Sequence, residues 1–241
     1  MSPRARLLLA AAVIAGVWQI PDGRWLLYPI TLLATYAHEL GHGLAALVAG
    51  NRFDGLELYA NGAGLARYRG DSGPAARAFI AAGGLVGPSV AGALLLVLSR
   101  SPRITRGLLA LLAALALICA ALWSANWQAG VFAMACAAVC AAGARWLPAG
   151  SAAFAVNLVG LTLCLSLFQD LDYLFSDHAL VGGQMRPSDS AVMAQALWLP
   201  YWFWGALVAA ACLALTLAAL WVATRPVRTA TPAAGAVSPP L

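Results

Sequence analysis

Seven apolar runs, parted by short polar or Pro/Gly-containing breaks, divide most of the chain. They cover residues 5–21, 25–48, 75–99, 107–122, 128–146, 150–175 and 197–224. A membrane-crossing helix needs about 20 mostly apolar residues, and most of these runs reach or approach that length. Tryptophans mark many of the ends: Trp18, Trp25, Trp123, Trp127, Trp146, Trp198, Trp202 and Trp221. An indole, apolar with one polar edge, favours the headgroup level of a bilayer. The pattern predicts an all-α polytopic membrane protein with about six to seven transmembrane helices. Arg4 and Arg6 precede the first run as they would in a secretory signal. Pro21-Asp22-Gly23-Arg24 follows it, however, with no small-x-small cleavage site, so a retained helix is expected. Only Ser124-Ala125-Asn126 separates the fourth and fifth runs, which reads as a helical hairpin.

Two segments break the helical pattern. In residues 51–72, the β-prone Phe53, Leu56, Leu58 and Tyr59 precede Asn61-Gly62, and Leu65 and Tyr68 follow. An Asn-Gly pair between two such runs predicts a β-hairpin. Residues 176–196 are polar enough to lie outside a hydrocarbon core and read as a polar loop. Residues 225–241, with Pro226, Pro232, Pro239 and Pro240, read as a disordered tail. Residues 1–224 then form a single transmembrane domain.

Composition supports this picture. Apolar residues make up 62% of the 241, and charged residues only 10%. Ordinary soluble domains are nearer 45–50% apolar and about 25% charged. These figures exclude intrinsic disorder, a collagen-like fibre and a small disulfide scaffold, and weigh against a water-soluble globule. All 14 basic residues are arginine, and the formal charge is +5. The arginines sit between apolar runs, as lipid-facing loops place them, so no nucleic-acid partner is needed to explain the charge. With seven spans they divide seven to seven between the two sides, so the positive-inside rule fixes no orientation. Cys119, Cys136, Cys140, Cys164 and Cys212 lie within apolar runs and form no CxxC pair, which reads as packing.

The second run contains His38-Glu39-Leu40-Gly41-His42, an H-E-x-x-H pattern inside an apolar helix. At 3.6 residues per turn, His38 and His42 share one face. Two imidazoles so placed can hold one zinc ion, and Glu39 beside them can take a proton from zinc-bound water. Ionisable groups within a span are costly and mark function. Zinc wants a third protein ligand, and the candidates are Asp170, Asp172, Asp177, His178 and Asp189. Runs two and six cross in the same direction. His42 lies ~9 Å and Asp170 ~8 Å before the ends of their runs, so their depths agree. Asp170 is therefore the expected ligand, Asp172 the fallback, and His178 next. Gly83, Gly84, Gly87 and Pro88 in run three read as close helix packing around the site. The buried amide of Asn157 reads as a helix-packing group, with oxyanion support the alternative. The 51–72 hairpin leaves run two beside the site, where an exposed edge can take an extended substrate, although a simple connector is the plainer role.

The stretch Ala37 to Gly43, A-H-E-L-G-H-G in a hydrophobic helix, resembles the site-2 protease-like intramembrane zinc metalloproteases. The following hairpin and the Gly-Pro helix at 83–88 extend the resemblance over about the first 100 residues. Ser188-Asp189-Ser190-Ala191 is similar, less specifically, to a stretch of the family's short bacterial branch, which lacks a PDZ domain. The resemblance implies a metalloprotease that cleaves a single-span substrate helix within the bilayer. His38 and His42 match the zinc-binding histidines, and Glu39 the catalytic glutamate. The family's third ligand is an aspartate on a later helix, usually in an Asn-x-x-Pro…Asp-Gly motif. Here no proline follows Asn157 at that spacing, and no glycine follows Asp170 or Asp172.

The resulting expectation is a zinc metalloendopeptidase with His38, His42 and Asp170 on the metal and Glu39 as catalytic base. The arginine-only, alanine-rich composition points to a GC-rich bacterium, hence a multi-pass protein of the inner (cell) membrane. A catalytically silent zinc-binding scaffold of the same fold is the alternative. A zinc carrier or sensor is the third reading, though the spans offer no further histidine.

Overall fold

The computed structural model describes residues 3–18, 23–169 and 171–225. In chain order the elements are α1 (Pro3–Trp18), α2 (Gly23–Val48), β1 (Arg52–Leu58), β2 (Gly64–Arg69), α3 (Pro74–Leu98), α4 (Pro102–Trp123) and α5 (Trp127–Trp146). There follow α6 (Ala149–Gln169), the single turn α7 (Leu171–Leu174), β3 (His178–Val181), β4 (Gln184–Pro187), α8 (Asp189–Leu197) and α9 (Tyr201–Thr224). The expected tail lies almost wholly outside the described residues.

Five of the described helices are long and apolar enough to cross a membrane: α3, α4, α5, α6 and α9. The six to seven spans expected from the sequence count α1 and α2 as well. The 16 described residues of α1 reach ~24 Å, against a ~30 Å hydrocarbon core, and residues 1–2 and 19–22 on either side lie outside the described residues. The 26-residue α2 is long enough but carries His38, Glu39 and His42. Burial separates an inner layer from an outer one. The spanning windows of α3 and α6 are 56% and 61% buried by the protein itself, against 17–28% for α4, α5 and α9. Thus α3 is the central post, packed on α2, α6, α8 and α9, while α4 and α5 form the expected helical hairpin at one side.

Small residues let the inner helices meet. A Cβ added to Gly41 on α2 would strike the carbonyl of Gly83 on α3, and one added to Gly92 on α3 would strike the carbonyl of Gly160 on α6. Where apolar side chains gain nothing by leaving lipid, such backbone contact supplies the packing that holds helices together. The buried Asn157 accepts a hydrogen bond from Ser99 Oγ, joining α6 to the end of α3, as the packing reading expected.

The predicted hairpin is present as β1–β2, antiparallel, with a bulge between Phe53 and Gly55. Its turn has Gly62 at φ +88°, with Asn61 Oδ1 accepting from the Ala63 N–H at 3.1 Å. Phe53, Leu56 and Leu58 are buried against Tyr36, Cys119, Ala129 and Ala133 of α2, α4 and α5. The outer edge of β1 is closed by the α4–α5 turn. Ala125 N–H donates to Leu56 O at 2.9 Å, and Asn126 bonds both backbone groups of Leu58 while capping α5 through the Ala129 N–H. The edge of β2 is left for the site. A second hairpin, β3–β4, occupies the segment read from the sequence as a polar loop, turning at Gly182-Gly183 with φ +58° and +78°.

Asn126 thus serves a helix cap and a strand at once. Asn126→Ala removes a cap worth ~0.5–2 kcal/mol as well as the Leu58 bonds. We expect the melting midpoint in detergent to fall by a few degrees, at roughly 2–4 °C per kcal/mol, and β1–β2 amides to exchange faster. A variant that melts and exchanges like the parent would mean that the apolar face alone holds the hairpin.

Candidate metal centre

The H-E-x-x-H turn of α2 faces α3 and the two hairpins. His42 is buried, and its Nδ1 lies 2.8 Å from Ile80 O on α3, which sets Nδ1 as donor and leaves Nε2 free to act as a ligand. Gly84 makes room for that ring, since a Cβ there would overlap it. Gly83, Gly84 and Gly87 therefore pack around the site, as the sequence suggested. His38 sits one turn earlier, its Nε2 3.1 Å from His42 Nε2. Its ring also meets Tyr173 edge-on, with centroids 6.1 Å apart.

The third side chain of the group is Asp189, at the start of α8. Its Oδ2 lies 3.0 Å from His38 Nε2 and its Oδ1 3.3 Å from His42 Nε2. Neighbouring serines hold it there. Ser188 caps α8 by accepting from the Ala191 N–H, and its hydroxyl donates to Ser176 O at 2.5 Å. Ser190 Oγ donates to Leu174 O at 2.8 Å. Met193 and Ala196 of α8 then pack with Ala78 and Ala81 of α3, which presses the helix start towards α2. Tyr173 OH donates to Asp189 Oδ2 at 3.0 Å, fixing the carboxylate from behind.

His38, His42 and Asp189 offer one ligand atom each, all within 4.8 Å of one another. Two imidazole nitrogens and a carboxylate are a donor set that suits zinc. Tetrahedral bonds of ~2.0–2.1 Å place neighbouring ligand atoms ~3.3 Å apart. The two Nε2 atoms lie 3.1 Å apart, and each has a different oxygen of the Asp189 carboxylate at 3.0 or 3.3 Å, which brings the three groups close enough to share one ion. Such an arrangement leaves a fourth position open.

Glu39 is buried beside the histidines and within hydrogen-bonding reach of the Ala66 backbone on β2. Gly64 lies flat on it, since a Cβ there would come 2.7 Å from Glu39 Oε1. Because Ala66 faces Glu39, the free edge of β2 runs along the site, and Gly64 and Tyr68 share that direction by the period of two. A cavity of about 1060 Å³ opens outward from His38, Glu39, His42 and Asp189 past β2 and β4. A second, of about 300 Å³, lies on the other side of His38 and Glu39 between α2, α3, α6 and β3.

The other expected residues fall elsewhere. Asp170, first choice from the sequence as third ligand, lies outside the described residues. Asp172 is exposed on α7. His178 is exposed and pairs with its neighbour Asp177 at 3.1 Å. Among the described residues, Asp172, Asp177 and His178 stand outside the three-residue group. The five cysteines are free, buried or half-buried, and likewise outside it. Tyr173 had no sequence signal, because its role depends on where α8 is packed. Asp189 had one: a serine cap followed by an acid and an apolar helix marks a carboxylate fixed at a helix start.

No curated protein and no solved structure matches the chain. A family model described as Peptidase M50B-like matches residues 7–223. That match spans both the H-E-x-x-H helix and the Ser188-Asp189-Ser190 turn, and it makes this chain a member of the M50B-like, site-2 protease-like metallopeptidase family.

Proposed function

We propose that the protein is a multi-pass zinc metalloendopeptidase of the bacterial cell membrane that cuts a single-span substrate helix. His38, His42 and Asp189 are the proposed ligands, and Glu39 the proposed base. The observation that carries this reading is the convergence of two imidazole nitrogens and a carboxylate at 3.0–3.3 Å beside a buried glutamate. Asp189 replaces Asp170 in the proposal because it already closes that triangle.

When bound, zinc makes a water molecule acidic near neutral pH and polarises the scissile carbonyl. Glu39 takes the water's proton and returns it to the leaving amine. His42 is held in one tautomer by Ile80 O, and Asp189 is held by Tyr173. The edge of β2 offers backbone groups of Gly64 and Tyr68 to an extended substrate chain, with the Ala66 N–H between them already turned to Glu39. A helix must be unwound before its peptide bond can be attacked, and strand pairing stabilises the unwound segment.

Metal content and cleavage of a single-span peptide, measured on one detergent preparation, test this reading. The parent should hold about one zinc and cut. Glu39→Gln should hold the same zinc and lose roughly 10²–10⁴-fold in rate. Asp189→Asn should lose both zinc and cleavage. Zinc in every form with cleavage in none would favour the silent scaffold. Full zinc in Asp189→Asn would remove Asp189 from the ligand set.

Tyr173→Phe takes away only the hydroxyl behind Asp189. Outer partners of metal ligands are typically worth 10–100-fold in affinity or activity. A zinc chelator competition should show weaker binding by about that factor, with the fold intact by circular dichroism. Unchanged zinc affinity would show that the serine contacts suffice to fix Asp189.

A further inference from the structure

The two cavities meet at His38 and Glu39 but differ in chemistry. The outer one is rimmed by Arg52, Arg67, Arg69 and Arg186. Asp54 answers two of these, at 2.5 Å to Arg69 and 3.4 Å to Arg52. The hydrogen bond from Arg69 holds the Asp54 carboxyl below its ordinary value, so it stays ionised. Glu57 answers Arg67 at 2.6 Å. Arg186 on β4 reaches only the amide oxygen of Gln184, at 3.1 Å, and no acid pairs with it among the described residues. At the rim these four cations face Asp54 and Glu57, while two further acids, Glu39 and Asp189, lie at the cavity floor beside the histidines, so the outer part is positive. Arg67 and Arg69 lie on β2 itself, two residues apart, so both project to the same face of the strand whose edge is free.

The inner cavity is neutral apart from His38 and Glu39 themselves. Ala34, Leu85, Pro88, Leu167 and Leu180 supply its apolar wall. Two of its hydroxyls are already spent on backbone carbonyls: Thr35 Oγ1 donates to Gly62 O at 2.7 Å and Ser166 Oγ to Leu163 O at 2.9 Å. A charged side chain entering there would lose its water along an apolar wall, and the one acid it could meet is Glu39 at the mouth shared with the outer cavity.

We infer that the two cavities read opposite sides of the cleaved bond: the outer one takes an acidic, extended juxtamembrane segment of the substrate, and the inner one an apolar side chain. The inference rests on the peptidase reading and gives its substrate class. An acidic chain added to the β2 edge would lie across from Arg67 and Arg69, and opposite charges on facing strands stabilise the pairing. It would also run beneath Arg186, the cation without an acid. Lipid phosphates attract arginine too, but these four line a cavity that leads to Glu39, whereas a headgroup needs only the outer surface.

Binding and cutting can be measured apart. Glu39→Gln in phosphatidylcholine nanodiscs would be titrated with labelled single-span peptides. These carry an Asp/Glu-rich or a lysine-rich flank, and a leucine or a lysine at the residue bordering the flank. The acidic flank should bind roughly fivefold tighter per facing charge pair at most, and leucine should be preferred over lysine at the border. Arg186→Glu should shrink or reverse the flank preference while leaving the leucine preference in place. Ala34→Leu, which fills the inner cavity, should weaken the leucine peptide and spare one with alanine. Equal binding of both flanks, or an Arg186→Glu effect equal for both, would overturn the inference and assign the arginines to lipid headgroups. Cleavage of a neutral-flank peptide by the parent tests the peptidase reading separately. Cleavage without flank preference defeats the inference alone. Flank preference without cleavage defeats that reading alone and leaves the acidic segment as a bound ligand.

Discussion

The close approach of α2 to α3 underlies the rest of the site. Gly41 lies against the Gly83 carbonyl, and Gly84 against the His42 ring. With any larger residue there, Ile80 O would move away from His42 Nδ1 and the imidazole would lose its orienting bond. His42 lies ~9 Å below the end of α2. Three ionisable side chains within five residues of an apolar helix are costly unless protein groups and water surround them, and here His42 and Glu39 are buried against α3 and β2. The outer cavity admits the water, and α3, with more than half of its spanning window buried, excludes lipid on the inner side.

Both hairpins keep most of their backbone paired or turned to the cavity. Irregular or edge-exposing backbone at membrane depth is tolerated only where it faces protein or a wet cavity. β1 meets this condition by bonding to Ala125 and Asn126, which leaves only the β2 edge open, and that edge faces Glu39. β3–β4 forms the opposite wall. Its turn comes against the first hairpin, where a Cβ on Gly182 would lie 2.8 Å from Tyr59 OH. An unwound substrate has unpaired amides of its own, each costly in an apolar site. A strand edge placed beside the base therefore answers an energetic need of the proposed reaction as well as a steric one.

Legibility in the sequence followed the range of each signal. The H-E-x-x-H face, the Asn61-Gly62 hairpin and the Ser124–Asn126 break are local patterns, and the structure shows all three where the residues put them. Gly182-Gly183 was an equally local hairpin signal, but the polarity of residues 176–196 hid it behind a loop assignment. Five of the expected six to seven spans are candidate membrane helices among the described residues, and α1 and α2, the other two, flank residues 19–22, which lie outside the described residues. The third donor was hardest. Matching helix depths selects Asp170, which is outside the described residues. Asp189 reaches the histidines from a nine-residue helix that follows a hairpin, and no depth calculation on long helices can find it. Only the hydroxyl contacts of Ser188 and Ser190 and the packing of α8 on α3 place it, and those depend on the assembled fold.

The proposed donor set is divided between two parts of the fold. The two histidines belong to a rigid inner helix, whereas Asp189 belongs to a short segment carried between β4 and α9. Ser188 and Ser190 tie that segment to the carbonyls of Ser176 and Leu174, and Leu174 is itself fully buried, with its carbonyl close against Gly205 of α9. The position of the carboxylate is thus set by α9 and α3 together, not by the helix that bears the histidines. A ligand triangle assembled from two independently packed bodies keeps its 3.0–3.3 Å spacing only while both bodies are seated. The β3–β4 hairpin immediately precedes Asp189, with only Ser188 between Pro187 and the carboxylate. Whatever displaces that hairpin therefore acts on the cavity wall and on the Asp189 carboxylate through the same few residues.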